Sequence, residues 1–282
     1  MFSSSYDPIL VLVSIVVAVL TSYTALQLTS SVFNTRGTAA RLWLFCGSMA
    51  MGTGLWAMHF IGMLAFSLPI ELTYEVSLTV FSLGLAVLAS ALALWIACRP
   101  VLGGWHFALG GLVMGAGIAG MHYVGMAALC MSPAIDYDPL WFGASIVIAI
   151  LAATSALCVA FHLKKLLRHV WMLRFAASIF LGFGIVAMHY VGMASASFHQ
   201  GSVSVSGSET DGIQASWLGV WVSLASLSLL AMTLTAVAIE QQARRRMLSQ
   251  KQADIQRCLA RHRVEQDPLE LLPRYVESRD KA

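Results

Sequence analysis

Three segments of the chain pair histidine with methionine at one fixed spacing. Met51–Met63 reads MGTGLWAMHFIGM, Met114–Met126 reads MGAGIAGMHYVGM and Leu181–Met193 reads LGFGIVAMHYVGM. His59 and Met63, His122 and Met126, and His189 and Met193 are each four residues apart, so on a helix each pair shares a face. Imidazole nitrogen with thioether sulfur is a donor set that suits copper, and the soft sulfur favours Cu(I). The apolar runs that carry these residues contain no Asp or Glu. That disfavours a di-iron carboxylate site and a carboxylate acid–base pair, and no catalytic residues and no enzymatic activity are expected. Packing is the plainer alternative, with histidine as an interhelical hydrogen-bond partner and methionine as a gap-filler. Recurrence of Met-His in three copies weighs against it, because packing alone does not require the same pair each time.

The elements that position these residues are long and apolar. Of 282 residues, 58% are hydrophobic and 11% charged, whereas a soluble domain carries about 25% charged residues. A hydrocarbon core about 30 Å thick needs about 20 apolar residues in a helix. Seven uncharged stretches meet that length: Pro8–Thr35, Leu42–Ile70, Val76–Cys98, Pro100–Ile135, Pro139–Leu163, Phe175–Ser208 and Gly212–Ile239. The expected fold is therefore all-α, a polytopic bundle of seven transmembrane helices. The 17 basic residues fall in the connections after spans one, three and five and in the tail, while the alternate connections carry only acids such as Asp7, Glu75 and Asp138. By the positive-inside rule the N-terminus is outside and the C-terminus cytoplasmic. Met1–Pro8 lacks the basic region of a cleaved signal peptide.

Each Met-His segment lies in an even-numbered helix that runs outward. The chain reads as three helix-pair repeats of parallel orientation plus one helix, arranged either about a pseudo-threefold axis or in sequence. A stripe Gly54–Met58–Gly62, repeated as Gly117–Met121–Gly125 and Gly184–Met188–Gly192, predicts close approach of helix backbones. Counting from His59 to Pro69 at 1.5 Å per residue puts each imidazole about 15 Å below the outer helix end.

These three motifs resemble the MHYT-domain family of bacterial membrane sensors, over roughly residues 6–240. The resemblance implies copper near the outer face, sensing of a diatomic gas (O2, CO or NO), and ligands drawn from Met58, His59, Met63, Met121, His122, Met126, Met188, His189 and Met193. Nine ligands exceed what one ion takes. The fourth motif position is Ile61, Val124 or Val191 instead of Thr, and Phe60 stands where the other copies have Tyr123 and Tyr190, so unequal sites are expected. Family members often carry cyclic-di-GMP-making or -degrading domains after the helices. About 43 residues follow span seven here, too few for either domain.

Residues 1–240 are thus expected to form the membrane domain, and 241–282 a basic cytoplasmic tail, partly helical and then disordered. In the tail Leu248, Ile255 and His262 fall seven apart, the spacing of a dimerising seam, so a homo-oligomer is allowed. Arg244–Arg246 read as a lipid-headgroup patch, not a nucleic-acid site. Of five cysteines none forms a CxxC pair, and they read as packing residues. The loop His199–Ser216, rich in Ser and Gly, reads as flexible, and His199 as a solvated loop histidine. The leading functional expectation is a sensor in the bacterial inner membrane that relays ligand or redox state to a cytoplasmic signalling partner. Haem- or copper-based electron transfer and copper transport are the competing readings; a retinal receptor is excluded because no Lys lies in a span.

Overall fold

The computed structural model describes residues 5–67, 72–99, 103–163, 170–198, 203–204 and 212–266. The fold is helical: α1 (Pro8–Asn34), α2 (Thr38–Ala65), α3 (Val76–Ala97), α4 (Gly104–Ala127), α5 (Pro139–Leu163), α6 (Val170–Ser195) and α7 (Ala215–Gln266). Two compact units divide the chain, 1–236 and 237–282.

Helices α1 to α6 are long and apolar enough to cross a membrane. Large apolar side chains such as Leu12, Leu88 and Leu151 are more than half exposed, as lipid-facing residues are. The chain is a multi-pass membrane protein. In α7 the described apolar stretch, Ala215–Leu229, is shorter than a full span, so six of the seven expected crossings are met by length.

Helices α1 to α6 each pack on their neighbours in sequence, and α6 packs on α1. The six form a closed ring in which α2, α4 and α6 also touch one another. Of the two arrangements open from the sequence, the ring is the pseudo-threefold one. Glycines set its tightness. A Cβ on Gly52 would lie 2.5 Å from Val87 Cα on α3, one on Gly115 2.6 Å from Ile150 Cα on α5, and one on Gly182 3.0 Å from Val19 Cα on α1. The ring therefore needs glycine at three equivalent crossings.

The three pairs also start alike. Backbone N–H groups of Asp7, Glu75 and Asp138 donate to the carbonyls of Ala65 (2.9 Å), Ala128 (2.7 Å) and Ser195 (2.8 Å), tying the first turn of α1, α3 and α5 to the end of α2, α4 and α6. The Asp7 carboxylate accepts from the N–H of Ile9 and Leu10, and Asp138 from Leu140 and Trp141. Asp-Pro at 7–8 and 138–139 is thus an N-cap followed by proline at the first helical position.

Short antiparallel ladders join the segments on this side: β1 (Ser5–Tyr6) with β2 (Phe66–Ser67), β3 (Thr73–Glu75) with β8 (Gly212–Gln214), β4 (Met131–Ser132) with β7 (Val203–Ser204), and β5 (Asp136–Tyr137) with β6 (Ala196–Ser197). The all-α class holds, and within the 199–216 connection, expected as a flexible loop, Val203–Ser204 and Gly212–Gln214 pair as short strands. Pairs of two or three residues carry no periodic signal. His199 lies outside the described residues.

Arg174 is a second correction. Counted above as a loop cation, it lies inside α6, 5% exposed, donating to Gln27 Oε1 and to Ser30 Oγ (3.0 Å). It closes the α1–α6 seam with a polar bridge. In the second unit the helix continues to Gln266 with Leu248, Ile255 and Leu259 exposed. The tail's expected disorder after Asp267 and the His262 side chain lie outside the described residues.

Candidate metal centre

His59, His122 and His189, one from each inner helix, meet on the pseudo-threefold axis. Their Nδ1 atoms are 3.1 Å (59–189), 3.1 Å (59–122) and 3.3 Å (122–189) apart. The rings stand edge to face, with centroids 4.9 to 5.1 Å apart, and the residues are at most 1% exposed. A neutral imidazole carries one proton. An Nδ1–H can serve one neighbour only, so part of the triangle must remain in lone-pair contact. A cation at the centre serves all three nitrogens at once. The centre lies about 1.8 Å from each Nδ1 by the geometry of that triangle, and an imidazole–zinc bond is about 2.0–2.1 Å. The donor set accepts a first-row metal ion with a few tenths of an ångström of adjustment.

The other edge of each ring explains the last glycine of the motif. His59 Nε2 points at Gly125 on α4, His122 Nε2 at Gly192 on α6, and His189 Nε2 at Gly62 on α2; a Cβ there would lie 2.9, 3.0 and 2.8 Å from the corresponding Cδ2. Each imidazole is cradled by the glycine of the next inner helix. The expectation that Gly62, Gly125 and Gly192 bring backbones together is corrected: they make room for rings. Gly54, Gly117 and Gly184 do abut Thr21, Ala89 and Ala152 of the outer helices: a Cβ on each would lie 2.8, 2.9 and 3.1 Å from a side-chain carbon there. All three Nε2 atoms are buried without a hydrogen-bond partner, so the centre lacks the carboxylate or carbonyl that ordinarily orients a ligating histidine.

The methionines of the motifs are buried in the core that holds the histidines. Met58, Met63, Met121, Met126, Met188 and Met193 are all at most 3% exposed and belong to the same core. Met63, Met126 and Met193 stand one turn toward the C-terminal end of the helix from their histidines, on the same face. Among the described residues the one cluster with metal-ligating nitrogen, thiolate or carboxylate groups is the histidine triad.

The depth inferred from the sequence needs revision. Because α2, α4 and α6 end at Ala65, Ala127 and Ser195, the histidines lie about 8–9 Å below the helix ends by the 1.5 Å rise, not 15. The chain leaves the helix before the prolines that served as markers.

An aromatic layer, missed in the sequence reading, caps the site. Tyr6 packs on Tyr190 (5.8 Å between centroids), Tyr74 on Phe60 (5.8 Å) and Tyr137 on Tyr123 (5.4 Å). The signal was present as a second repeat, Tyr6-Asp7, Tyr74-Glu75 and Tyr137-Asp138, in which the tyrosine precedes the capping acid. Burial and the adjacent Tyr190 push the Tyr6 phenol up to about 12, burial and Tyr123 do the same for Tyr137, and burial raises Tyr74 as well. These phenols stay protonated at neutral pH and do not supply anionic ligands.

The Phe60 departure has a local answer. Ser14 and Ser145 spend their protons on the carbonyls of Val11 and Phe142, so the hydroxyls of Tyr190 (3.0 Å) and Tyr123 (2.5 Å) donate to them. In the first copy the Trp56 indole N–H instead donates to Ser82 Oγ at 3.2 Å. The lost phenol is replaced from one turn earlier in the same helix.

The chain matches, at residues 1–44, 52–110 and 115–172, the family designated MHYT and described as a bacterial signalling protein N-terminal repeat. It belongs to the MHYT family. Over 240 residues, 85% of the chain, it is 48% identical to the bifunctional diguanylate cyclase/cyclic di-GMP phosphodiesterase MucR of Pseudomonas aeruginosa, covering 35% of that protein. It is 37% identical over 70% of the chain to signaling protein YkoW of Bacillus subtilis, covering 25% of it. It is 40% identical over 68% of the chain to the cyclic di-GMP phosphodiesterase NbdA of P. aeruginosa, covering 24% of it. The chain spans about a quarter to a third of the length of these relatives. No solved structure matches.

Proposed function

We propose that this MHYT protein is a copper-holding sensor of the bacterial inner membrane, with its N-terminus outside, α7 as a seventh crossing and the segment after residue 240 cytoplasmic. The carrying observation is the triangle of Nδ1 atoms 3.1–3.3 Å on a side at the outer end of the inner helices. His59, His122 and His189 hold the ion; bound there, it supplies a Lewis-acidic point able to take a diatomic ligand or change oxidation state. The six methionines line the surrounding core and favour Cu(I) as the resident form. The cradling glycines fix the rings, and the buried surroundings exclude water.

The signal leaves through α6 and α7 to the tail, which biases a cytoplasmic signalling module. The names of two relatives, a diguanylate cyclase/cyclic di-GMP phosphodiesterase and a cyclic di-GMP phosphodiesterase, support cyclic-di-GMP turnover as that output, in which the MHYT helices themselves would have no catalytic part. An Nδ1 separation near 3 Å leaves no gap for a macrocycle between any two histidines, so a bare ion is favoured over haem. The histidines share one depth and form no ladder across the membrane, which disfavours transport.

Elemental analysis of the detergent-purified full chain tests this. The expected result is near-stoichiometric copper in the wild type and loss of it in His59→Ala/His122→Ala/His189→Ala with helical circular dichroism retained. Folded wild-type protein that takes up no copper when reconstituted with Cu(I) would sink the reading.

A further inference from the structure

Below the triad, on the same axis, lies a cavity of about 70 Å³ walled by all six ring helices. Its bulky lining comes from the inner helices: Leu55, Ile118 and Ile185 sit one turn beneath the three histidines, with Met51, Met114 and Leu181 a further turn down. The outer helices supply only small residues, including Ser22 on α1, Ser90 on α3 and Ala153 on α5.

Two of these are unusual. Ser14, Thr21, Ser48, Ser82, Thr154 and Ser178 each donate to a carbonyl three or four residues back, the ordinary habit of hydroxyls in membrane helices. Ser22 and Ser90, 4% and 2% exposed, have no hydrogen-bond partner. They are pseudo-threefold counterparts, each following the residue (Thr21, Ala89) that abuts the Gly54-type glycine. Leaving a buried hydroxyl unsatisfied costs about 1–3 kcal/mol, so two at one cavity call for a guest.

We infer that this chamber binds a neutral molecule of two or three heavy atoms that accepts hydrogen bonds from Ser22 and Ser90. Its volume exceeds the ~10–15 Å³ that one water needs. A water cluster filling it would find the hydroxyls of Ser22 and Ser90, that of Thr21 with its proton already given to Val17, and otherwise carbon and thioether sulfur, whereas each water needs 2–4 polar partners. A small, weakly polar guest matches both the carbon walls and the two donors. The site adds to the metal reading a place where such a molecule is held one turn from the histidines, and it does not depend on the metal.

Nitrous oxide, a neutral triatomic acceptor, is the probe. Metal-free full-length protein in detergent is titrated with it under infrared detection, so failure here and failure of the copper reading are separable. The expected result is a saturable band distinct from nitrous oxide in water or detergent. In Ser22→Ala/Ser90→Ala the band shifts and binding weakens about tenfold, the loss of two ordinary hydrogen bonds. In Ala153→Leu the band disappears. Absence of a saturable band in folded wild-type protein overturns the inference. So does a Ser22→Ala/Ser90→Ala variant with unchanged band and affinity, which needs no filling substitution to fold.

Discussion

If the glycine cradles fix the triad, the smallest possible side chain at one of them must damage metal binding without touching a ligand. Gly125→Ala is the sharpest case. The new Cβ would lie 2.9 Å from His59 Cδ2 and closer still to Nε2, against about 3.5–4.0 Å for unstrained carbon contact. The ring must retreat by about 0.6–1 Å, and its Nδ1 moves with it. That displacement, at an Nδ1 about 1.8 Å from the triangle's centre, exceeds the ~0.2 Å tolerance of a metal–ligand bond. Supporting contacts of this kind cost about 10–100-fold in metal affinity when removed. Overpacking adds about 1–3 kcal/mol of destabilisation. Chelator competition measures affinity, and thermal unfolding followed by circular dichroism shows that the fold persists. Gly84→Ala is the control: it makes the same change on a ring helix where a Cβ meets nothing within 4 Å, and it is expected to leave affinity unchanged. A folded Gly125→Ala protein that binds copper within twofold of wild type refutes the cradle argument.

Three further outcomes follow from the same geometry. Tyr190→Phe, which removes the 3.0 Å bond to Ser14, should lower stability by about 0.6 kcal/mol and not above about 1.7, the range for hydrogen bonds between membrane helices; unfolding in a denaturing detergent titration measures it. Folded Tyr6 and Tyr137 keep their protons up to about pH 12 whereas unfolded phenols lose them near 10.0. Folding stability is therefore expected to fall as pH rises from about 10 to about 12, read by unfolding at each pH, and to fall less in a Tyr6→Phe/Tyr137→Phe variant, where the buried Tyr74 still contributes. Under reducing conditions Cu(I) should displace Zn(II) from the purified protein, measured by elemental analysis after competition; retention of zinc against excess Cu(I) counts against the charge argument below.

Much of the site was legible because it repeats. Three Met-His pairs at equal register predicted a shared face and a shared depth, and the ring brings their imidazoles to one point. What the pattern could not convey is contact between helices. Gly62, Gly125 and Gly192 look like any small residue in a membrane helix, and only the ring's order reveals that each faces the histidine of the preceding inner helix. Arg174 was read as a loop cation because charge marks span ends, yet its partners Gln27 and Ser30 lie about 145 residues away. The strands escaped because two-residue pairings leave no alternation to detect. The paired Tyr-acid repeat was visible throughout, and was passed over because its acids were read as topology markers alone.

The electrostatics of the centre limit what it can hold. Three neutral imidazoles contribute no negative charge, the nearby phenols keep their protons, and among the described residues no carboxylate or thiolate joins the histidine triad. Any ion bound there keeps its full charge in a buried place. The cost of burying a charge in a low-dielectric medium is several kcal/mol even after relaxation, and by the Born relation it grows with the square of the charge. A divalent ion therefore pays about four times the desolvation of a monovalent one at similar radius. Zinc sites with three histidines keep an open position for a solvent molecule whose deprotonation reduces the net charge; at a site 1% exposed or less that relief is not at hand. Cu(I) needs no such relief, tolerates few ligands and is at ease beside thioethers. On the proposed copper reading the same reasoning would give the site a sensitivity: oxidation to Cu(II) or a change of ligand at the ion would alter an uncompensated charge at the point where all three inner helices meet.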